Sequence, residues 1–172
     1  LSGLGYETAD RMGLLETLRS ASYTINENVY KDSKGKELLR LRYRDFIRDL
    51  PYLALRRNDL VRALADALPD TVSTRFNNQI ESFIDTGNGV EARLASGEVI
   101  EADLLIGADG LHSMIREVVG APAAEPTGWC SWQGLVDFPE VHDRQAGLIV
   151  IGENGNLGMW PAGGSQLQWW FD

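Results

Sequence analysis

The stretch LLIGADGLHSMIR, residues 104–116, decides the fold. Its short aliphatic run is typical of a buried strand, and Gly107 and Gly110 mark a tight bend after it. Ser113 has the side chain and the position of a helix N-cap. The following helix is expected to carry its apolar residues on an inner side, namely Ile115, Val118 and Val119. The pattern predicts a strand, an acidic turn and a helix.

Asp109 lies at the bend, and two interpretations of it are open. Asp-Gly pairs are common in turns and need no ligand to explain them. In open α/β sheets, however, ligands sit beyond the carboxyl ends of strands, where this turn places Asp109 and Gly110. A phosphate would repel the carboxylate, so with a bound nucleotide Asp109 is expected to accept hydrogen bonds from sugar or polyol hydroxyls. Gly110 would let the backbone come close.

Composition and charge limit the classes of protein to which this chain can belong. The chain has 172 residues, with 44% apolar and 24% charged residues, which is typical of a globular protein. A net charge of −9 disfavours nucleic acid or an anionic membrane as the main partner. No apolar run approaches the roughly 20 residues of a membrane helix, and Cys130, the single cysteine, excludes an intrachain disulfide. These features predict a cytoplasmic protein with a small-molecule ligand.

Metal chemistry and nucleophilic catalysis have little support. Cys130 and the separated His112 and His142 form no spaced set of metal ligands, so no metal is expected. The GWCSW segment around Cys130 lacks the glycine spacing of a cysteine-protease nucleophile, and no G-x-S-x-G elbow is present.

The chain before the bend alternates between helical and extended patterns. An amphipathic helix is predicted from Thr8, followed by two strands at 23–30 and 37–44 and a short strand at 52–55. Asn58 is predicted to cap a second helix. The residues predicted to share one face of that helix are Leu60, Val61, Leu64 and Leu68. Residues 71–106 follow a period of two and predict a β-meander with turns at 85–89 and 95–98.

After the bend, residues 121–127 have the composition of a connector. The remainder predicts strands and holds all five tryptophans, which either wall an aromatic ligand pocket or pack a sheet. They are Trp129, Trp132, Trp160, Trp169 and Trp170.

Two groups of arginines raise the question of anion binding. Arg56 and Arg57 put positive charge at the positive end of a helix dipole, which is unfavourable unless an anion binds there. The alternative is that both extend into water. The alternating Arg40, Arg42 and Arg44 are interpreted as a solvated face.

With these residues in place, the sequence resembles the middle of a class A, single-component FAD-dependent monooxygenase of the aromatic-hydroxylase superfamily. One matching motif is a strand followed by D-G-x-x-S-x-x-R, here Asp109, Gly110, Ser113 and Arg116. The other is the R-x-x-L-x-x-x-L helix start at Arg57, Leu60 and Leu64.

The resemblance implies an α/β fold of mixed α+β character. It would hold part of a Rossmann-like FAD-binding domain with a β-meander, residues 1–22 and 45–122, and part of a substrate-domain sheet, residues 23–44 and 126–172. Arg57, Ile80, Asp109 and Gly110 would serve the FAD site. NAD(P)H would be the co-substrate, and a small aromatic or polycyclic molecule would be hydroxylated with O2.

Two alternatives stay open beside this resemblance. In the first, the parent protein is a related FAD-dependent oxidoreductase, such as a reductase, halogenase or epoxidase. In the second, the chain is a fragment that is inactive on its own. The resemblance names no catalytic side chain, because the flavin carries the chemistry in such enzymes.

Overall fold

The structure is a computed structural model that describes residues 1–46, 52–141 and 145–172. The chain divides into two compact units, residues 1–69 with 129–172 and residues 70–128. His142 lies outside the described residues.

The helices of the first unit are α1 (Leu4–Arg11), α2 (Leu15–Ser20) and α3 (Arg57–Asp66). The prediction of one helix from Thr8 is wrong, because the chain forms α1 and α2 with a break between them. Gly13 has a φ of 71°, a left-handed conformation that ends α1 and that glycine adopts without strain.

The three helices share a small apolar core made of Ala9, Leu14, Leu18 and Ala63. The predicted apolar face of α3 is only partly correct, because Leu60 packs on this core but Val61 and Leu64 are 53% and 39% exposed. Leu68 is also exposed. The helix contacts the core through the narrow stripe of Leu60 and Ala63, so the flanking apolar positions face outward.

Two sheets complete the first unit. A small antiparallel sheet pairs β1 (Tyr23–Ile25) with β4 (Tyr52–Ala54). A six-stranded sheet is made of β2 (Glu27–Asp32), β3 (Glu37–Arg42), β8 (Trp132–Asp137), β9 (Ala146–Gly152), β10 (Gly155–Pro161) and β11 (Gln166–Phe171). Its strand order is β3-β2-β9-β10-β11-β8, in which only β2 and β9 are parallel. The predicted strands of the Trp-rich segment are confirmed. The strand predicted at 23–30 is wrong as one element, because β1 and β2 share that stretch and lie in different sheets, and the strand predicted at 37–44 ends at Arg42.

Glycines make room for indole rings on one face of this sheet. A Cβ at Gly147 would collide with Trp160, and a Cβ at Gly158 would collide with Trp170. Since neither glycine carries a side chain, both rings lie against the backbone of the neighbouring strand. Trp169 lies on the opposite face, where a Cβ at Gly134 would be 3.0 Å from its ring. Sheet packing is therefore the role of these three tryptophans within the first unit.

The second unit is built on an antiparallel meander of β5 (Ile80–Asp85), β6 (Val90–Leu94) and β7 (Val99–Ala102). Ala92 and Leu94 are buried, while Glu91 and Arg93 between and beside them are exposed, as the period of two predicts. Both predicted turns are confirmed, with glycine at φ 82° and 84°. The meander begins later than predicted, at Ile80 rather than at residue 71.

The buried strand predicted at 104–106 is wrong. Leu104 and Ile106 are 73% and 78% exposed, and no strand among the described residues pairs with them. A strand is stabilised by a hydrogen-bonded neighbour, so an apolar run without one remains extended but irregular. The short helix α4 (Met114–Val118) follows as predicted. Its inner side is Ile115, which packs on Gly107, because Val118 and Val119 are 64% and 70% exposed.

In the parts of the chain that the structure describes, none of the helices combines the length and the apolar character needed to cross a bilayer.

A pair of leucine substitutions tests the assignment of the helical core. Leu18 is 1% exposed and Leu64 is 39% exposed. Leu18→Ala is expected to lower the free energy of unfolding by about 2–5 kcal/mol, because it opens a cavity in the core. Leu64→Ala is the matched control and should cost less than about 1 kcal/mol. Urea denaturation followed by circular dichroism measures both, and equal losses would contradict the assignment.

Candidate functional site

The bend at 107–110 is organised by the carboxylate of Asp109. Its Oδ1 accepts a hydrogen bond from the Ser113 hydroxyl at 2.6 Å, and its Oδ2 accepts one from the Met114 backbone N–H at 2.9 Å. Ser113 Oγ in turn accepts from the Arg116 backbone N–H at 3.0 Å, so the predicted N-cap of α4 is confirmed. Arg116 Nη1 donates to the Leu111 carbonyl at 3.0 Å and closes the turn. Asp109, Ser113 and Arg116 of the D-G-x-x-S-x-x-R motif thus belong to one hydrogen-bonded unit that surrounds Gly110 in the sequence.

These contacts keep Asp109 ionised. The Ser113 hydroxyl, followed by nearby backbone N–H groups, lowers the pKa of the Asp109 carboxyl below its usual value. The side chain is exposed, and each carboxylate oxygen has a further acceptor site beyond the bond it already accepts. Asp109 therefore has a role within the turn itself, and acceptance from a ligand hydroxyl is compatible with the same geometry.

Gly110 and Gly107 have separate reasons to be glycine. Gly110 has a φ of 84°, and no atom would lie within 4 Å of a Cβ at this position, so the backbone is open on this side. At Gly107 a Cβ would lie 2.6 Å from the Cβ of Ile115. Gly107 therefore allows the bend to pack closely on α4, whereas Gly110 supplies its left-handed turn and an accessible backbone.

The start of α3 separates the two adjacent arginines. The helix begins at Arg57, and Arg56 is the N-cap residue in an extended conformation. The prediction that Asn58 caps this helix is wrong, since Asn58 lies inside the first turn. Arg56 instead donates to Asp59 through Nε at 2.6 Å and Nη2 at 3.1 Å, and these bonds raise the pKa of Arg56 above its usual value.

Arg57 is the unpaired member of the two. Its side chain is exposed, and within residues 1–46, 52–141 and 145–172 no carboxylate pairs with its guanidinium. Asp59 neutralises Arg56, so an unneutralised cation remains beside the free N–H groups of the helix start. This combination favours an anion such as a phosphate.

The remaining predicted site residue is Ile80, the first residue of β5, which is half-buried and pairs with Leu94. Ile80, Asp109 and Gly110 belong to the second unit, and Arg57 belongs to the first. The convergence of all four on one flavin stays a prediction.

The arginines of β3 have local partners. Arg40 forms ion pairs with Glu27 and with Glu37, and Arg42 Nε lies 3.7 Å from Glu27 Oε2. Arg40 and Arg42 lie on β3, the outer strand of the sheet, as the solvated-face interpretation requires, whereas Arg44 lies beyond the end of this strand.

Sequence reasoning missed a polar group inside the first unit. Asn28 on β2 is only 6% exposed, and its side chain contacts the hydroxyl of Tyr43. Burial, with the nearby Tyr52 and Tyr30, raises the pKa of Tyr43 to about 12, so its hydroxyl is protonated at neutral pH. The available signal was an asparagine in the middle of a strand pattern, because this residue is depleted in strands.

These features together define a mixed α/β protein with an acidic, self-capped bend and an arginine-led helix, as expected for the flavoprotein class that the motifs resemble. The family described as "FAD binding domain" matches residues 7–171, and the chain belongs to this family.

Three similar proteins illustrate the match. The chain is 31% identical over 120 residues to aurachin C monooxygenase/isomerase of Stigmatella aurantiaca, covering 69% of this chain and 31% of that protein. It is 27% identical over 173 residues to 3-hydroxybenzoate 6-hydroxylase 1 of Aquipseudomonas alcaligenes, covering 94% and 44%. The crystal structure of Klebsiella pneumoniae HpxO complexed with FAD and uric acid has the same fold, with a TM-score of 0.79, 22% identity and coverage of 97% and 44%. The chain spans less than half the length of each of these proteins.

A serine substitution tests the hydrogen-bonded bend. Ser113→Ala removes the main donor to Asp109 and the cap of α4, so the pKa of Asp109 should rise toward its usual value and residues 114–118 should exchange their amide hydrogens faster. Carboxyl titration by NMR and hydrogen exchange measure the two effects. Ser33→Ala in the turn between β2 and β3 is the control and should change neither. An unchanged Asp109 pKa in Ser113→Ala would contradict the assigned cause.

Proposed function

We propose that this chain is the middle portion of an FAD-dependent monooxygenase that uses NAD(P)H and O2 to hydroxylate a small aromatic or polycyclic substrate. The observation that carries the proposal is the family match over residues 7–171, nearly the whole chain. The names of the similar proteins agree with it, because they act on or bind ring compounds such as 3-hydroxybenzoate and uric acid. Residues 1–22 and 45–122 would belong to the FAD-binding domain, and residues 23–44 and 126–172 to the substrate domain.

The residues of the bend and of α3 suit different parts of FAD. The exposed guanidinium of Arg57, next to the N–H groups that begin α3, would hold a phosphate. Asp109, whose charge disfavours a phosphate, would accept hydrogen bonds from ribityl or ribose hydroxyls. The open backbone at Gly110 would admit the cofactor closely, and the backbone at Ile80 would lie beside the adenine.

FAD held by these residues would supply the acceptance of a hydride from NAD(P)H and the activation of O2 for transfer to the substrate. A flavin enzyme needs few catalytic side chains of its own, and the described residues agree with this expectation. They contain no cluster of three metal-binding side chains, and the pKa shifts found among them belong to capping, ion pairing and burial rather than to an acid–base pair in a cleft.

The direct test is to purify the protein and measure flavin absorbance and NAD(P)H-dependent O2 uptake with aromatic substrates. Retained flavin and O2 uptake that rises with substrate support the monooxygenase. Flavin reduction without O2 incorporation into product, measured with ¹⁸O2, would favour a reductase. A complete protein that contains this chain and stays colourless with added FAD would overturn the proposal, whereas a colourless isolated chain would favour the inactive fragment.

A matched pair of arginines tests the cofactor role. Arg57→Ala is expected to weaken FAD binding by roughly tenfold or more, because a charge-assisted hydrogen bond to a phosphate is lost. Arg42→Ala should leave FAD binding unchanged, since Arg42 lies on β3 beside Glu27. Fluorescence titration of the apoprotein with FAD measures both dissociation constants. Equal weakening by the two substitutions would contradict the assignment.

A further inference from the structure

The ion pair at the start of α3 borders the six-stranded sheet. Arg56 donates to Asp59 through two nitrogen atoms, at 2.6 Å and 3.1 Å, so the relative orientation of the guanidinium and the carboxylate is fixed. The Asp59 side chain is only 16% exposed. A carboxylate that is shielded to this degree has neighbours besides its arginine.

One such neighbour is the turn between β10 and β11, residues 162–165. A Cβ at Gly163 would lie 3.8 Å from Asp59 Oδ2, and a Cβ at Gly164 would lie 4.0 Å from Arg56 Nη1. Both members of the ion pair therefore border this turn of the sheet.

The same turn packs closely on the end of α2. A Cβ at Gly163 would lie 2.4 Å from the carbonyl oxygen of Ala21, the C-cap residue of α2. A side chain cannot approach a backbone oxygen this closely, so the contact requires glycine. The turn is therefore seated on the end of α2 and lies beside the ion pair that begins α3.

The ion pair thus joins two functional parts of the proposed enzyme. On α3, Arg57 follows Arg56 directly and is the residue proposed to hold the FAD phosphate. The strands that flank the turn carry Trp160 and Trp170, whose ring centroids lie 5.0 Å apart on one face of the sheet. The start of α3 and these aromatic strands belong to the same compact unit.

We infer that Arg56 and Asp59 are positioning residues of the proposed FAD site: they hold the turn at 162–165 against the start of α3 and so place Arg57 for a phosphate. The inference rests on the proposed function, because it concerns the FAD site of that monooxygenase. The link is reciprocal, so bound FAD stabilises the turn, and a loosened turn weakens FAD binding.

A role of Asp59 through charge alone predicts the opposite effect on FAD. The carboxylate repels a phosphate at the helix start and also neutralises Arg56. If the pair did no more than this, removal of the Asp59 charge would leave two free guanidinium groups and strengthen FAD binding. The sign of the change in FAD affinity therefore distinguishes positioning from electrostatics.

FAD titration and hydrogen exchange of the complete protein that contains this chain test the inference. Asp59→Asn keeps the size of the side chain and removes its charge, and it should weaken FAD binding about fivefold or more in a fluorescence titration of the apoprotein. The amides of residues 162–166 should exchange faster in this variant. Saturating FAD should slow their exchange in the unsubstituted protein but not in the variant. Asp59→Glu keeps the carboxylate and should restore FAD affinity to within about twofold.

Glu16→Gln is the matched control. Glu16 forms an ion pair of the same i,i+3 spacing with Arg19 on α2, at 3.0 Å, and its side chain is 83% exposed. Breaking this pair should change neither FAD affinity nor the exchange of residues 162–166. If Asp59→Asn fails to fold, as judged by circular dichroism, the double variant Arg56→Gln/Asp59→Asn decides the outcome. It removes one charge of each sign, so electrostatics alone predicts unchanged FAD affinity and positioning predicts a loss.

The outcomes separate this inference from the proposed function. A complete protein that binds no FAD would overturn both. FAD binding that Asp59→Asn leaves unchanged or strengthens would overturn the positioning role alone. Faster exchange of residues 162–166 at unchanged FAD affinity would also overturn it, because the pair would then support only the fold.

Discussion

The first unit depends on the close contact between indole rings and strand backbone at Gly147 and Gly158. A side chain at either glycine would occupy the space of Trp160 or Trp170. Because the rings lie against the sheet, Trp160 reaches both Tyr52 on β4 and the side chain of Asn28 on β2. The small β1–β4 sheet is thereby joined to the large one through aromatic contacts. The same packing buries two polar atoms, Asn28 Oδ1 and Trp160 Nε1.

Local signals predicted much of this fold. The hairpin turns at Gly87 and Gly97, the cap at Ser113 and the strands of the Trp-rich segment depend on interactions between residues close in sequence, which a pattern can reveal. Errors arose where a distant partner decides the outcome. Residues 104–106 have the composition of a buried strand but no neighbouring strand among the described residues, and Leu64 has helical spacing but lies beyond the narrow core contact.

The candidate site shows the same division. The sequence predicted which residues of the bend matter, because the spacing of Asp109, Ser113 and Arg116 is the spacing of a capped helix start. It could not show that the Asp109 carboxylate is engaged at both oxygens. It also left Arg56 and Arg57 equivalent, and only the structure separates them, since a carboxylate one turn into α3 neutralises the first. The burial of Asn28 could not be predicted from local sequence, because it depends on the register of β2 with β3 and β9.

Charge is sorted by position throughout the first unit. The arginines of β3 lie on one face of the sheet with their glutamates. The strand residues on the face of Asn28 include aromatic rings and amides but no lysine or arginine, and the charged ones are Asp32 and Asp137. An ionic group placed among those half-buried rings would lose hydration without gaining a counter-ion, which costs far more than burying a neutral hydrogen-bonded group. The exposed Arg57 at the start of α3 is instead hydrated and can exchange water for phosphate at little cost. The exposed start of α3 therefore suits an anion, whereas the face of Asn28 disfavours any charged group, because burial among the rings removes hydration that the helix start retains.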